Sequence, residues 1–182
     1  MRLFIAISLP LTLKEKLEQT IKVFQKCELD ARWVEPKNIH MTLKFLGEVC
    51  EEKLEEIKKN IQEVAAQYKS LEANLTDFSF FPNENYVRVF FVATDKEEIL
   101  KNIADNLEKK LEKIGFPKEG RFKTHITLAR VRTKKNIDRL KKEIKCVELK
   151  EKFSVSEITL FKSTLTASGP IYEAIFKASL AT

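Results

Sequence analysis

The pattern of hydrophobic and polar positions alternates between the two-residue period of strands and the longer period of amphipathic helices. Apolar runs and alternations predict strands over residues 3–9, 41–47, 71–81, 86–92, 125–131, 153–161 and 171–180, with a short extended segment at 33–34. Helical spacing predicts helices over 10–27, 51–68, 95–114 and 136–146. Pro10 suits a helix start, Asp95 is the expected cap of the third helix, and Gly115 is its expected end.

Hairpin-like strand pairs alternate with helices in this order. That order favours the α+β class with mostly antiparallel sheets over a doubly wound parallel sheet. No Ser- or Gly-rich linker divides the chain, so residues 1–182 are expected to form a single domain of two intimately packed lobes.

Composition limits the class of protein without identifying it. The 182 residues are 43% hydrophobic and include 13 Phe, which is enough apolar surface to fold. The net charge of +6 permits a polyanionic partner, but most charges lie in mixed runs typical of solvated helix faces. Cys27, Cys50 and Cys146 have no disulfide or zinc-ribbon spacing and are expected to be small buried or half-buried residues. Reduced thiols, no signal segment and no membrane-spanning run favour a cytoplasmic protein.

The strongest chemical signal is a short repeat. His40-Met41-Thr42-Leu43 and His125-Ile126-Thr127-Leu128 have the same His-x-Thr-apolar form, are separated by nearly half of the chain, and contain both of its histidines. Within each predicted strand the histidine and threonine share one face, while the apolar residues occupy the other. If a pseudo-two-fold axis relates the lobes, the two polar faces meet in one cleft.

Two imidazoles and two hydroxyls in one cleft suit the cleavage of a phosphodiester. One histidine can deprotonate the attacking oxygen while its protonated mate supplies the leaving oxygen with a proton. The hydroxyls can bind non-bridging oxygens, and this scheme requires no metal. A zinc site would need more ligands near the histidines, and the sequence has no glycine-rich phosphate loop and no nucleophile elbow.

Several segments along the chain resemble the two-histidine (2H) phosphoesterases. The similarity is strongest to the LigT-like branch of RNA 2′,3′-cyclic phosphodiesterases, also called 2′-5′ RNA ligases. The segments concerned are 2–7, 32–34, 40–47, 121–130, 160–163 and 169–172. One departure is Thr124, where the family usually has proline before the second histidine.

The resemblance implies a bilobal fold with two pseudo-symmetric lobes and an active-site cleft between them. It implies hydrolysis of a terminal 2′,3′-cyclic phosphate of RNA to a 2′-phosphate. No metal, cofactor or membrane is expected to take part, and the chain is expected to act as a monomer. On that pattern His40 is the proton donor to the leaving 3′ oxygen and His125 is the proton acceptor that activates water. Thr42 and Thr127 hold the phosphate oxygens.

The family pattern also places an arginine five residues after the second histidine, here Arg130, near the phosphate. Strict alternation would bury Arg130 beside Ile126 and Leu128, so a bulge or the end of the strand must redirect it. Trp33 and Phe45 offer rings for base stacking, although core packing is the favoured interpretation. Three other basic residues are candidates for RNA-backbone contacts: Arg32, Lys44 and Arg121.

Three alternatives remain open on sequence alone. The same residues serve a 2′-5′ RNA ligase that joins a 2′,3′-cyclic end to a 5′-hydroxyl, as between tRNA halves. The chain is alternatively a non-catalytic module that binds RNA ends, or a phosphodiesterase that acts on small cyclic nucleotides.

Overall fold

The computed structural model describes residues 1–120 and 122–182. Within those ranges the chain forms nine strands and four α-helices, with short 3-10 turns at Pro36–Asn38 and Glu51–Lys53. The strands are β1 (Arg2–Ser8), β2 (Ala31–Trp33), β3 (His40–Glu48), β4 (Leu71–Pro82), β5 (Val87–Thr94), β6 (Ile126–Val131), β7 (Lys152–Val155), β8 (Glu157–Thr166) and β9 (Gly169–Ser179). The helices are α1 (Leu11–Gln25), α2 (Leu54–Ala65), α3 (Glu97–Glu112) and α4 (Ile137–Ile144).

The strands form two sheets. The first sheet has the order β3-β1-β8-β9 and the second has the order β2-β6-β5-β4-β7. Neighbouring strands pair antiparallel throughout both sheets. The expected α+β class with two antiparallel sheets is therefore confirmed.

The prediction of one strand over residues 153–161 is wrong. The chain forms β7 at the edge of the second sheet, then changes sheets at Ser156 and continues as β8 inside the first. Phe153 and Val155 are the buried residues of β7, and Ile158, Thr159 and Leu160 are those of β8, so the apolar positions change phase between the two strands where the chain changes sheets. The first sheet is consequently built from both ends of the chain, and the lobes are not successive halves of the sequence.

The helices cover the outer faces of the two sheets. Helix α1 packs on the second sheet, where Phe24 meets Phe78 and Phe90 edge-on with ring centroids 5.0 and 5.2 Å apart. Helices α2 and α3 pack against each other on the first sheet, α2 on β8 and β9 and α3 on β3. Buried side chains from both sheets form one continuous hydrophobic cluster, so the lobes share a core.

The start of α3 differs from the prediction in one respect. Asp95 does not cap the helix; its carboxylate instead accepts hydrogen bonds from the backbone N and the side-chain Nδ2 of Asn74 on β4, at 2.7 and 2.8 Å. Lys96 occupies the cap position in the left-handed region. The buried stripe accordingly includes Leu100, whereas Ile99 is exposed. Gly115, with a φ of +94°, follows the helix end as expected.

The two strands that carry the histidines pair with their neighbours in the same way. Strand β3 pairs with β1, and β6 pairs with β5. In the first pair Ala6 lies opposite Thr42 and Phe4 opposite Phe45; the second pair has Phe91 opposite Thr127 and Val89 opposite Arg130. Each of these residues in β1 and β3 has a counterpart in β5 and β6, and the separation in sequence is the same every time. It equals the separation of the two histidines. The internal repeat found in the sequence is thus a repeat of backbone pairing.

The three cysteines are free thiols, as expected, but Cys50 and Cys146 are exposed and only Cys27 is buried. None of the helices in the described ranges combines the length and the apolar character needed to cross a membrane.

Candidate active site

Strands β3 and β6 lie side by side where the two sheets meet, and a cavity opens between them. The cavity measures about 230 Å³ and is lined by both histidines and both threonines of the repeat. The apolar residues between them, Met41 and Ile126, are fully buried on the opposite faces. The predicted convergence of the two polar faces is therefore present in the structure.

The ring of His40 is oriented by its own strand and by three aromatic rings. Its Nδ1 lies 2.7 Å from the carbonyl oxygen of Asn38, and its Nε2 lies 2.9 Å from Oγ1 of Thr42. Because a carbonyl oxygen only accepts, Nδ1 carries a proton, and Nε2 of the neutral ring accepts from the threonine hydroxyl. The ring packs between Phe4 and Tyr172, with centroids 4.9 and 5.4 Å away, and Phe161 lies beyond them.

His125 repeats this arrangement in the second sheet. Its Nδ1 lies 2.7 Å from the carbonyl oxygen of Lys123, again two residues before the histidine. Phe81 and Phe91 flank the ring edge-on, with centroids at 5.0 and 5.7 Å. Nε2 of His125 is therefore the acceptor nitrogen of the neutral ring, which lines the cavity. Within the described residues it has no hydrogen bond like the one between Thr42 and His40.

Burial favours the neutral form of both histidines in the free site. Burial lowers the pKa of His40 to about 4, against the ordinary value of 6.5, and the charges of Lys14, His125 and Arg130 act in the same direction. Burial also lowers the pKa of His125, helped by Arg130. Hydrogen bonds to the preceding carbonyls oppose these shifts. An anion between the rings would raise the pKa of both, because a negative charge favours the imidazolium form.

A β-bulge follows each threonine, and it decides what lies farther along the cleft. In β6 the pairing with β5 skips Leu128, and in β3 the pairing with β1 skips Leu43 at the corresponding place. Each bulge reverses the alternation, so the residue five positions after each histidine faces the cavity. That residue is Arg130 in β6, as the family pattern requires, and Phe45 in β3. Phe45 is 50% exposed, so the favoured prediction that it packs in the core is wrong.

The same bulge overturns the prediction for Lys44. This residue was expected to contact the RNA backbone, but its side chain is only 2% exposed. Its Nζ donates to Oε1 of Glu108 on α3 at 3.0 Å and to the carbonyl oxygen of Pro117 at 2.9 Å. Alternation from His40 would place Lys44 on the cleft side, and the extra residue in β3 turns it to the buried side. Lys44 is a structural residue.

The structure places the remaining candidate residues differently. Arg32 is exposed on β2, directly opposite Arg130, and lines a side cavity of about 140 Å³ that adjoins the histidine cavity. Trp33 is half-buried; it lines the same side cavity and packs edge-on against Phe90. Arg121 lies outside the described residues.

Tyr172 is a cleft residue to which sequence reasoning gave no role. It lies on β9 and lines both the histidine cavity and the side cavity. Burial raises the pKa of its hydroxyl, and the charges of Arg130, Arg2 and Arg32 oppose that rise. Tyr172 belongs to the segments that carry the family resemblance, but nothing in the local pattern indicates that β9 reaches the cleft. Only the sheet order places it there.

A third cavity, of about 260 Å³, adjoins the cleft on the side of His125. Phe45, Phe81 and Phe122 supply its apolar walls, and Asp105 and Glu119 are among its polar lining residues. Among residues 1–120 and 122–182, no cluster of three or more His, Cys, Asp or Glu side chains is arranged to hold a metal ion.

Comparison with protein families gives two matches to one family model, the LigT like Phosphoesterase model, over residues 7–91 and 92–172. The interval between the two starting positions equals the interval between the two histidines. Each histidine therefore lies equally far from the start of its own match. The family model thus recognises the same internal repeat that the strand pairing displays.

The similarity to known proteins extends over nearly the whole chain. A Methanocaldococcus jannaschii protein named RNA 2′,3′-cyclic phosphodiesterase is 38% identical over 96% of this chain and 98% of its own. The crystal structure of the Thermus thermophilus protein TT0787 superposes with a TM-score of 0.80 at 28% identity, covering 99% of this chain and 98% of that one. A structure of E. coli LigT complexed with 3′-AMP has a TM-score of 0.80 at 23% identity, covering 100% and 98%, and so supports the fold alone.

Proposed function

Because the chain belongs to the LigT-like phosphoesterase family, we propose that it hydrolyses the 2′,3′-cyclic phosphate at the end of an RNA strand and leaves a 2′-phosphate. The names of its relatives support this substrate. The observation that carries the proposal is the pair of imidazole rings, those of His40 and His125, which line one cavity with their Nδ1 atoms bonded to backbone carbonyls.

In the proposed reaction His125 accepts a proton from a water molecule as its oxygen forms a bond to phosphorus. The bond between phosphorus and the 3′ oxygen breaks, and protonated His40 gives its proton to that oxygen. One proton enters the site on water and one leaves on the 3′-hydroxyl, so the two histidines end with their protonation states exchanged. Solvent then restores the starting state. Each transfer contributes about 10²–10⁴-fold to such reactions.

The assignment of the two roles rests on the environments of the rings. Burial lowers the pKa of His40 to about 4, so its imidazolium forms only while the bound phosphate stabilises it, and it readily gives its proton to the leaving 3′ oxygen. Nε2 of His125 is bonded to no side chain in the described residues and is free to receive the proton of water. Thr42, Thr127 and Arg130 line the same cavity and would donate hydrogen bonds to the non-bridging oxygens.

The proposal treats residues 1–182 as one catalytic domain that works as a monomer, because each sheet supplies one histidine and a single chain supplies both. It requires no metal and no cofactor. The exposed ring of Phe45 borders both the histidine cavity and the aromatic third cavity, and it offers a surface on which a terminal base would stack.

The decisive experiment incubates the protein with an oligoribonucleotide that ends in a 2′,3′-cyclic phosphate and identifies the product. We expect a 2′-phosphate, unchanged turnover in EDTA, and loss of turnover in His40→Gln and His125→Gln variants that keep the wild-type melting temperature. A 3′-phosphate product, or full activity in either variant, would contradict the proposal.

Adding an RNA with a 5′-hydroxyl tests the ligase: joined product in place of hydrolysed product would favour that alternative. Tight binding of the cyclic end without turnover would favour the non-catalytic module.

A further inference from the structure

The side cavity beside the histidines has an unusual charge arrangement. Its walls include Arg32 and Trp33 from β2, Arg130 from β6 and Tyr172 from β9. Arg130 and Tyr172 also line the histidine cavity, so the two cavities adjoin at these side chains. The side cavity is thus placed to receive the neighbouring group of a molecule bound at the histidines.

Arg32 and Arg130 are direct cross-strand partners in the pairing of β2 with β6. Side chains at such positions lie on the same face with Cβ atoms about 5 Å apart, and like charges there repel. Within the described residues no carboxylate lies within salt-bridge distance of either guanidinium. Glu35, which also lines the cavity, pairs instead with Lys37 at 2.8 Å. The pair is thus an uncompensated positive site that an anion would neutralise.

The guanidinium of Arg32 lies against the turn between β8 and β9. A Cβ at Gly169 would lie 2.6 Å from Nη2 of Arg32, so a larger residue there would displace the guanidinium from this position. Next to it, Nδ2 of Asn38 donates to the carbonyl oxygen of Pro170 at 2.9 Å and ties this turn to the segment before β3. The first sheet therefore supplies one wall of a cavity whose cations come from the second sheet.

We propose that this side cavity binds the phosphodiester group on the 5′ side of the terminal nucleotide, with Arg32 as its specific contact. The inference rests on the proposed function: with the cyclic phosphate between the histidines, the next phosphate of the strand is one ribose away, and Arg130 borders both positions. A cyclic mononucleotide lacks this group. The site therefore selects the ends of RNA strands over small cyclic nucleotides.

The test compares a cyclic mononucleotide with a dinucleotide that ends in the same cyclic phosphate. We expect wild-type kcat/KM to be about 10- to 100-fold higher for the dinucleotide, the effect of one charge-assisted contact. Arg32→Gln should reduce that ratio to near one, chiefly through KM of the dinucleotide. The matched control is Arg88→Gln, which removes a guanidinium that contacts Tyr86 outside the cavity and should leave the ratio unchanged.

A chemical variant completes the test. Replacing the internal phosphate of the dinucleotide by an uncharged methylphosphonate should remove the advantage in the wild type and have little further effect in Arg32→Gln. If Arg32→Gln keeps the ratio, or if the methylphosphonate is cleaved as well as the natural dinucleotide, the subsite is wrong and the cavity holds a base or nothing. Failure of the proposed function would be distinct, because the wild-type protein would then leave the cyclic phosphate of the dinucleotide unhydrolysed, whereas a wrong subsite leaves that hydrolysis intact and removes only the advantage over the mononucleotide.

Discussion

Strands β3 and β6 share one backbone design and differ in the side chains placed on it. Both begin at a His-x-Thr segment, both orient the imidazole with the carbonyl two residues earlier, and both bulge after the threonine. At the position that each bulge turns into the cleft, β3 has the apolar ring of Phe45 and β6 has the cation Arg130. The duplicated backbone brings two imidazoles to one cavity, while the divergent side chains give that cavity an aromatic wall and a cationic wall.

The outer edges of the two strands differ as well. Strand β6 is flanked by β2, whose backbone pairs with it. Strand β3 is at the edge of its sheet and is covered by the loop after α3, which is held by side chains. Lys44 and Phe45 contact the loop at Pro117 and Glu119, and Glu108 accepts hydrogen bonds from both Lys44 and the loop. At the outer edge of β3, contacts made by side chains take the place of the backbone pairing that β2 provides for β6.

The largest effect should come from separating the roles of the two histidines. With a normal cyclic phosphate, His40→Gln and His125→Gln should each lose about 10²–10⁴-fold in kcat. With sulfur in place of the bridging 3′ oxygen, the leaving thiolate needs no proton, so His40→Gln should recover most of its rate and His125→Gln should not. Single-turnover rates on both substrates provide the measurement. Recovery of the His125 variant alone would reverse the assigned roles.

The second comparison concerns the two residues that follow the bulges. Arg130→Gln should lower kcat/KM for a cyclic mononucleotide about 10- to 100-fold, with much of the loss in kcat, because charge on the phosphate grows in the transition state. Phe45→Leu should act mainly on KM, by about tenfold, as expected for the loss of a stacked base. Steady-state kinetics on one substrate suffices. Equal losses of kcat in both variants would show that the two positions are not divided in this way.

A third prediction concerns the edge of β3 and replaces Lys44 by alanine, the residue at the corresponding position 129 of β6. Lys44→Ala leaves the carboxylate of Glu108 without its buried partner and should lower the free energy of unfolding by about 2–3 kcal/mol. Urea unfolding measures the change. Lys58→Ala, which removes a helix-surface pair with Glu55, is the control and should cost about 0.5 kcal/mol or less. A loss at Lys44 no larger than the control would contradict its structural role.

The fourth prediction concerns the dependence of stability on pH. The pKa of His40 falls to about 4 on folding, so between pH 6.5 and 4 the unfolded chain binds more protons than the folded protein. The free energy of unfolding should therefore decrease as the pH falls through this window, by at most about 1.4 kcal/mol per pH unit for this group. His40→Gln should flatten that part of the profile. An unchanged slope in the variant would mean that His40 is not the group responsible.

Residue alternation predicted part of the site correctly. The two-residue period placed each histidine with its threonine, and it indicated that Arg130 needs a bulge to reach the phosphate. It could not locate the bulge or reveal that β3 contains a matching one, because an extra residue leaves no local signal in a segment such as Thr42-Leu43-Lys44-Phe45. The errors at Lys44 and Phe45 therefore have one cause, the change of alternation at Leu43 in β3.

The sequence alone determined the class of the fold, the duplication of the His-x-Thr segment and the face of the strand on which its polar residues lie, because these depend on residue type and on the geometry of neighbouring residues. Tertiary structure decided which strands lie beside the repeat, and hence that Tyr172 and Arg32 reach the cleft while Lys44 leaves it. The physical reason is that hydrogen bonding between strands far apart in the chain sets their order and register. No local pattern encodes those pairings.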